Sequence, residues 1–141
     1  MILNTNAAIK YRNKLWNKNN LIPSWVNTSK VDLDQFYTKD HIAKKCYKSL
    51  LNKIKKTNGK ITNYKFIDPS VGLGAFYNLL PENKRIGIDI LPSEKEIIKA
   101  DFLSWQPNKN GHQYIFVGNP PFGYRAWLSL SFMNHAAKFA E

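Results

Sequence analysis

Lys65-Phe66-Ile67-Asp68-Pro69-Ser70-Val71-Gly72-Leu73-Gly74 opens as a short apolar strand, ends that strand on an acid and breaks at once into a glycine turn. Without Cβ atoms, the backbone at Gly72 and Gly74 can adopt tight conformations and approach a ligand closely. A helical stretch from Ala75 to Leu80 follows, then a second strand, Arg85-Ile86-Gly87-Ile88-Asp89-Ile90. Strand, helix and strand within this length predict a parallel pair joined by a right-handed crossover. Two more strand candidates, Glu96-Ile97-Ile98-Lys99-Ala100 and Tyr114-Ile115-Phe116-Val117, continue the pattern. The expected class is α/β.

Upstream of this unit, Thr38 is expected to cap a helix, with Asp40 in its first turn. Ile42, Ala43, Cys46, Tyr47, Leu50, Leu51 and Ile54 recur at helical spacing, and Asn58-Gly59 supplies the stop. Downstream, residues 126–140 carry a last helical pattern, with Trp127, Leu130, Met133, Ala137 and Phe139 among its apolar positions and no stop signal before Glu141. Residues 1–33 read as a basic extension: no acid occurs in the first 31, while Lys10, Arg12, Lys14, Lys18 and Lys30 alternate with Tyr11, Trp16 and Trp25. Basic and aromatic groups together suit nucleic-acid contacts. The plainer reading, slightly preferred, is a loosely packed arm whose tryptophans cover the edge of the core.

A chain of 141 residues accommodates one domain. With 43% hydrophobic residues it is too apolar for a disordered tail. It lacks a run of 18 apolar residues, so no membrane span is expected, and nothing after Met1 resembles a signal peptide. A single cysteine, Cys46, excludes an internal disulfide and fits a reducing, cytoplasmic setting. His41, His112 and His135 do not form a cluster with metal-ligand spacing, so no metal is expected. The net charge of +11 favours a polyanionic partner. Lysine outnumbers arginine 18 to 3, a bias that coding composition can also produce.

Asp68, Asp89 and Asp101 each end a successive strand candidate. In an open parallel sheet, ligands bind at the carboxyl ends of the strands, and an acid after the second strand can accept hydrogen bonds from both hydroxyls of a ribose. Asp101 can accept from an aromatic amine while the Phe102 backbone N–H donates to the neighbouring ring nitrogen. The turn departs from the full G-x-G-x-x-G pattern, so a ligand without a pyrophosphate is expected. The fourth strand candidate runs into Asn119-Pro120-Pro121-Phe122. Taken alone, that tetrapeptide could be an ordinary turn. It also offers the Asn119 side-chain carbonyl and the Pro120 backbone carbonyl to the two protons of an aromatic amine. Pro120 and Pro121 stiffen the turn, and Phe122 can stack on the ring.

Taken together, these segments resemble the amino-methyltransferases that use S-adenosylmethionine, most closely the adenine-N6 DNA methyltransferases, over roughly residues 34–135. Phe36-Tyr37-Thr38 resembles the family motif ahead of the first sheet helix. The stretch Asp68 to Phe76, with Ser70, Gly72 and Gly74, resembles the motif that cradles the methionine part. Asp89 matches the ribose acid, Asp101-Phe102 the adenine pair, and Asn119 to Phe122 the catalytic tetrapeptide. The resemblance implies a Rossmann-like class I methyltransferase fold, with the four strands in the order 3-2-1-4. It implies S-adenosylmethionine as cofactor, with Asn119 touching both cofactor and target. The implied reaction moves a methyl group to the N6 amine of an adenine flipped out of DNA. The motif order is the gamma type, in which target recognition follows the catalytic motif. Because the family sheet has seven strands, residues 34–141 are expected to be the N-terminal portion of a catalytic domain, completed by a C-terminal portion or a second chain. Ribosomal-RNA adenine, a protein amide, or a non-catalytic cofactor-binding role are the alternatives.

Overall fold

The computed structural model describes residues 5–33, 35–108 and 110–140. Strands β1 (Tyr64–Asp68), β2 (Arg85–Asp89), β3 (Ile98–Lys99) and β4 (Gln113–Phe116) form one sheet in the order β3-β2-β1-β4. All three pairings are parallel. The α/β class and the strand order are as expected. Helices α1 (Thr5–Lys18), α2 (Asp40–Lys56) and α3 (Trp127–Ala136) flank the sheet. The register sets Asp68 beside Gly87, Ile67 beside Phe116 and Asp89 beside Lys99, which gathers the strand ends along one edge.

Successive strand residues point to opposite faces. On β1 both Phe66 and Ile67 are fully buried, so both faces of the central strand are covered, as a parallel sheet requires. Phe66 packs with Ile54 of α2 and with Leu80. Ile67 joins a larger cluster that holds Ile88, Phe102, Trp16 of α1, and Trp127, Leu128 and Phe132 of α3. α2 therefore lies on one side of the sheet, with α1 and α3 on the other.

Several expectations need correction. Residues 75–80 form no α-helix, only a single 3-10 turn at Tyr77–Leu79. Gly74 enters it at φ +85°, and Leu80, which precedes Pro81, is extended at ψ 149°. A residue before proline is pushed out of the helical region, so only one turn fits. Thr38 does not cap α2; Lys39 holds that position without a side-chain bond. The Thr38 hydroxyl is used elsewhere, by Asn119. The stop at Asn58-Gly59 is as expected: Asn58 is left-handed at φ +55°, and the Gly59 N–H donates to the Ile54 carbonyl at 2.9 Å.

α3 ends at Ala136, and Ala140 then bridges in parallel to Tyr114. Glu141 and Met1 to Asn4 lie outside the described residues, as does Asp34 at the expected domain boundary. Within α3, Leu130 and Met133 are exposed while Leu128 and Phe132 enter the core. On α2, Ile42 and Cys46 are exposed although they belong to the apolar stripe. The N-terminal segment is not a loose cover either. Trp16 is fully buried in the main cluster, with Val26 and Val31 beside it. Among the described residues, no helix is long and apolar enough to cross a membrane.

Candidate functional site

Asp68, at the end of β1, is buried and accepts a hydrogen bond from the Ser70 N–H at 3.2 Å. Burial pushes its carboxyl up to about 7, the Ser70 bond opposes this, and the charge of Asp89 adds to it. The Ser70 hydroxyl in turn donates to the Asn119 carbonyl at 2.9 Å, which ties the turn after β1 to the turn after β4. Gly118 makes that approach possible. A Cβ there would lie 2.6 Å from Asp68 Oδ1.

Asp89 closes the second strand. Its Oδ2 accepts from the Gly72 N–H and its Oδ1 from the Leu91 N–H, both at 2.8 Å. Gly72 and Gly74 adopt φ +55° and +85°, where an L side chain is strained, so glycine is favoured at both. The position a Cβ would take on Gly72 faces the Tyr37 ring at 3.8 Å.

Asp101 is only 4% exposed. Its Oδ2 accepts from Trp16 Nε1 at 3.1 Å and from Ser104 Oγ at 2.9 Å. Burial raises its carboxyl above the ordinary range, and these donors oppose the rise. The expectation for Phe102 concerns its backbone N–H, and its ring lies in the core. That ring is 5.0 Å from Phe132 and 4.9 Å from His135, so only the backbone can serve a ligand.

Asn119 donates from Nδ2 to Thr38 Oγ1 at 3.2 Å, which orients the amide. Pro120 and Pro121 are half-buried, and Phe122 stands at the rim, 49% exposed. Its ring centre lies 6.1 Å from that of Phe36, which is 67% exposed, with the planes tilted by 56°. Tyr37 and Leu73 complete an exposed apolar rim.

Two clefts meet here, each of about 130 Å³. Asp89, Ile90, Asp101 and Pro121 line the first. Thr38, Asp40, Asp68, Ala75 and Phe76 line the second. Phe36, Tyr37, Ser70, Gly72, Leu73 and Asn119 border both. All the expected cofactor positions except Gly74 therefore reach one cleft or the other, and Gly74 shapes the turn behind them. Of the expected catalytic tetrapeptide, Pro120 and Phe122 line neither. Arg12, Trp16 and Asp40 also reach the clefts, as do Leu128 and Phe132, and none was expected to. Ala8, Arg12 and Trp16 recur every four residues and are the buried face of α1, a signal hidden by the basic composition around them.

Beyond Phe122 the backbone is unusual. Arg125 and Ala126 adopt φ +50° and +59°, rare for residues with a Cβ. Lys30 and Arg125 lie over the Tyr124 ring, 5.7 and 5.2 Å from its centre. Among the described residues, no group of three His, Cys, Asp or Glu could hold a metal ion. Comparison with protein-family models, curated proteins and solved structures gave no match to this chain.

Proposed function

We propose that this chain carries the cofactor and amine sites of a class I methyltransferase that methylates the N6 amine of adenine in nucleic acid, with DNA as first substrate. The observation that carries the reading is the meeting of two clefts at Asn119, with strand-end acids in both. A ligand with a nucleoside end and a charged amino-acid end suits that division. In the first cleft, Asp89 suits the ribose hydroxyls and Asp101 an adenine amine. In the second, Asp68 and Asp40 suit an ammonium group, and the glycine turn leaves room for a backbone-to-ligand approach. Bound S-adenosylmethionine would supply an activated methyl group on a sulfonium.

The remaining work belongs to the chain. An aromatic amine is a poor nucleophile because its lone pair is shared with the ring. Asn119 Oδ1 and the Pro120 carbonyl accept the two amine protons, localise the lone pair and stabilise the positive charge that grows on nitrogen. Ser70 fixes the Asn119 backbone and Thr38 fixes its amide, so these acceptors need no reorganisation. Transfer of that methyl group from the sulfonium to the nitrogen would release one amine proton to solvent. Phe122 and Phe36, exposed side by side, suit a flat base at the rim. The net charge of +11 suits the polyanion that carries it, and the exposed Cys46 thiol suits a reducing, cytoplasmic setting.

Calorimetry with S-adenosylmethionine tests the cofactor half. Methyl transfer from labelled cofactor to adenine-containing DNA and RNA, followed by nucleoside analysis, tests the rest. Saturable binding and N6-methyladenine are expected. Absence of binding, or label found only on protein, overturns the reading.

A further inference from the structure

We propose that Trp16 is a positioning residue for Asp101: α1 supplies a donor that fixes this carboxylate through Oδ2 and leaves Oδ1 to accept from a nucleoside amine. The proposal rests on the nucleoside reading of the first cleft.

Trp16 lies 85 residues from Asp101 and outside every segment that suggested a cofactor. Its indole N–H is a donor only, and a buried one needs a partner. That partner is Asp101 Oδ2. The ring cannot easily turn away. Trp127 meets it edge-on, 5.2 Å between centres and 89° between planes. The Arg12 guanidinium covers it at 4.3 Å and is itself held by the Val31 and Asp32 carbonyls at 2.8 and 2.9 Å. Those carbonyls precede the Phe36-Tyr37 rim, so one helix braces Asp101, the rim segment and α3 together.

A carboxylate offers about four acceptor positions. On Asp101 the chain fills two of them, both on Oδ2, from Trp16 and Ser104. Asp101 borders the cleft, which makes Oδ1 the oxygen a ligand would use. An amine satisfies it. A ring carbonyl at the same place would face the carboxylate oxygen with its own. The site therefore selects 6-amino over 6-oxo purines.

The charged groups around Asp101 are Arg12 on α1 and Asp89 at the end of β2, both in the same cleft. His135 lies behind it on the Phe102 ring, and Asp68 lies in the other cleft. Burial raises the Asp101 carboxyl, while Ser104, Trp16, Leu103 and Arg12 all lower it. Removing the Trp16 donor must therefore raise it further.

Trp16→Phe keeps an aromatic ring and deletes the N–H. In the ligand-free protein, the Asp101 carboxyl resonance, followed by ¹³C NMR, should titrate at higher pH than in wild type. Affinity for 5′-methylthioadenosine, which lacks the amino-acid end and so does not engage the second cleft, should fall about tenfold at neutral pH. Preference over 5′-methylthioinosine should shrink with it. Ser104→Ala leaves α1 intact and should move both readouts in the same direction, which keeps the test open if Trp16→Phe does not fold. A folded Trp16→Phe protein with an unmoved titration, or with unchanged nucleoside affinity and preference, overturns the proposal. Failure of the wild type to bind either nucleoside overturns the nucleoside reading of the cleft, and the ligand-free titration still decides whether Trp16 governs Asp101.

Discussion

The ends of the first three strands and the segment after the fourth are finished to different degrees. At the former, the chain supplies donors to every acid: Ser70 to Asp68, Gly72 and Leu91 to Asp89, Trp16 and Ser104 to Asp101. After β4, the Phe122 ring is half exposed and Arg125 and Ala126 sit in a left-handed backbone. One region is organised by folding itself; the other holds strain and uncovered apolar surface that a ligand could use. Strain of this kind concentrates at functional segments. The comparison can be broken from either side.

The largest effect is expected at Asp68, where the finished region carries its own cost. Burial lifts this carboxyl from 3.8 to about 7. Between those values the folded chain keeps a proton that the unfolded chain has released, so the folded state binds more protons. Stability is then fully present below the unfolded value and declines as pH rises toward about 7. A rise of that size corresponds to on the order of 4 kcal/mol. Urea unfolding of wild type and Asp68→Asn across pH 4 to 7.5 checks this. The difference between the two should grow steadily with pH. A constant difference would mean that Asp68 is already ionised at the lower end.

Next comes the junction of the regions. Asn119→Ala removes the bond to Thr38 and, on the proposed function, the amine acceptor, and should then slow single-turnover methyl transfer by roughly 10²–10³-fold. Cofactor affinity should change far less, because the acids remain. Phe122→Ala should instead weaken capture of the base by about 1–3 kcal/mol. Equal losses of cofactor binding and rate in Asn119→Ala would show that Asn119 serves the cofactor alone.

Gly118 sharpens the comparison by steric means. Its backbone is not left-handed, so the demand for glycine is one of space: a Cβ would meet Asp68 Oδ1 at 2.6 Å and Pro69 Cδ at 3.2 Å. Gly118→Ala should cost about 1–3 kcal/mol of stability. The loss should shrink in an Asp68→Ser background, where the blocking oxygen is drawn back. Additive losses in the double variant would locate the clash at Pro69 instead.

What could be read from the sequence follows the same division. Gly72, Gly74 and the three strand-end acids are local patterns, fixed by backbone geometry and strand boundaries; Gly72 and the acids border the clefts, and Gly74 lies behind them. Trp16 and Arg12 were hidden because they act across the chain, and a run of lysines around them reads as composition rather than as a face. α3 was misphased because Trp127, Leu128, Leu130, Phe132 and Met133 surround it with apolar residues, so periodicity alone cannot choose the buried side. The helix expected at 75–80 failed on Pro81, whose effect on Leu80 leaves room for one turn.

The smallest expected effect probes the unfinished region. Ala126 has φ +59° and ψ 10°, and its side chain is only a methyl group, so replacing it tests backbone strain with little other change. A left-handed L residue costs roughly 1–2 kcal/mol, and glycine returns about 0.5–1 kcal/mol of that through its greater freedom when unfolded. Ala126→Gly should therefore raise stability by up to about 1 kcal/mol, seen as a higher urea midpoint at unchanged slope. If the strain holds Tyr124 and Arg125 ready for a partner, the same variant should bind adenine-containing DNA more weakly although it is more stable. A gain in stability with unaltered DNA binding would mean that the turn stores strain without using it. A loss of stability would show that Ala126 is not strained, and the contrast between the two regions would then rest on exposure alone.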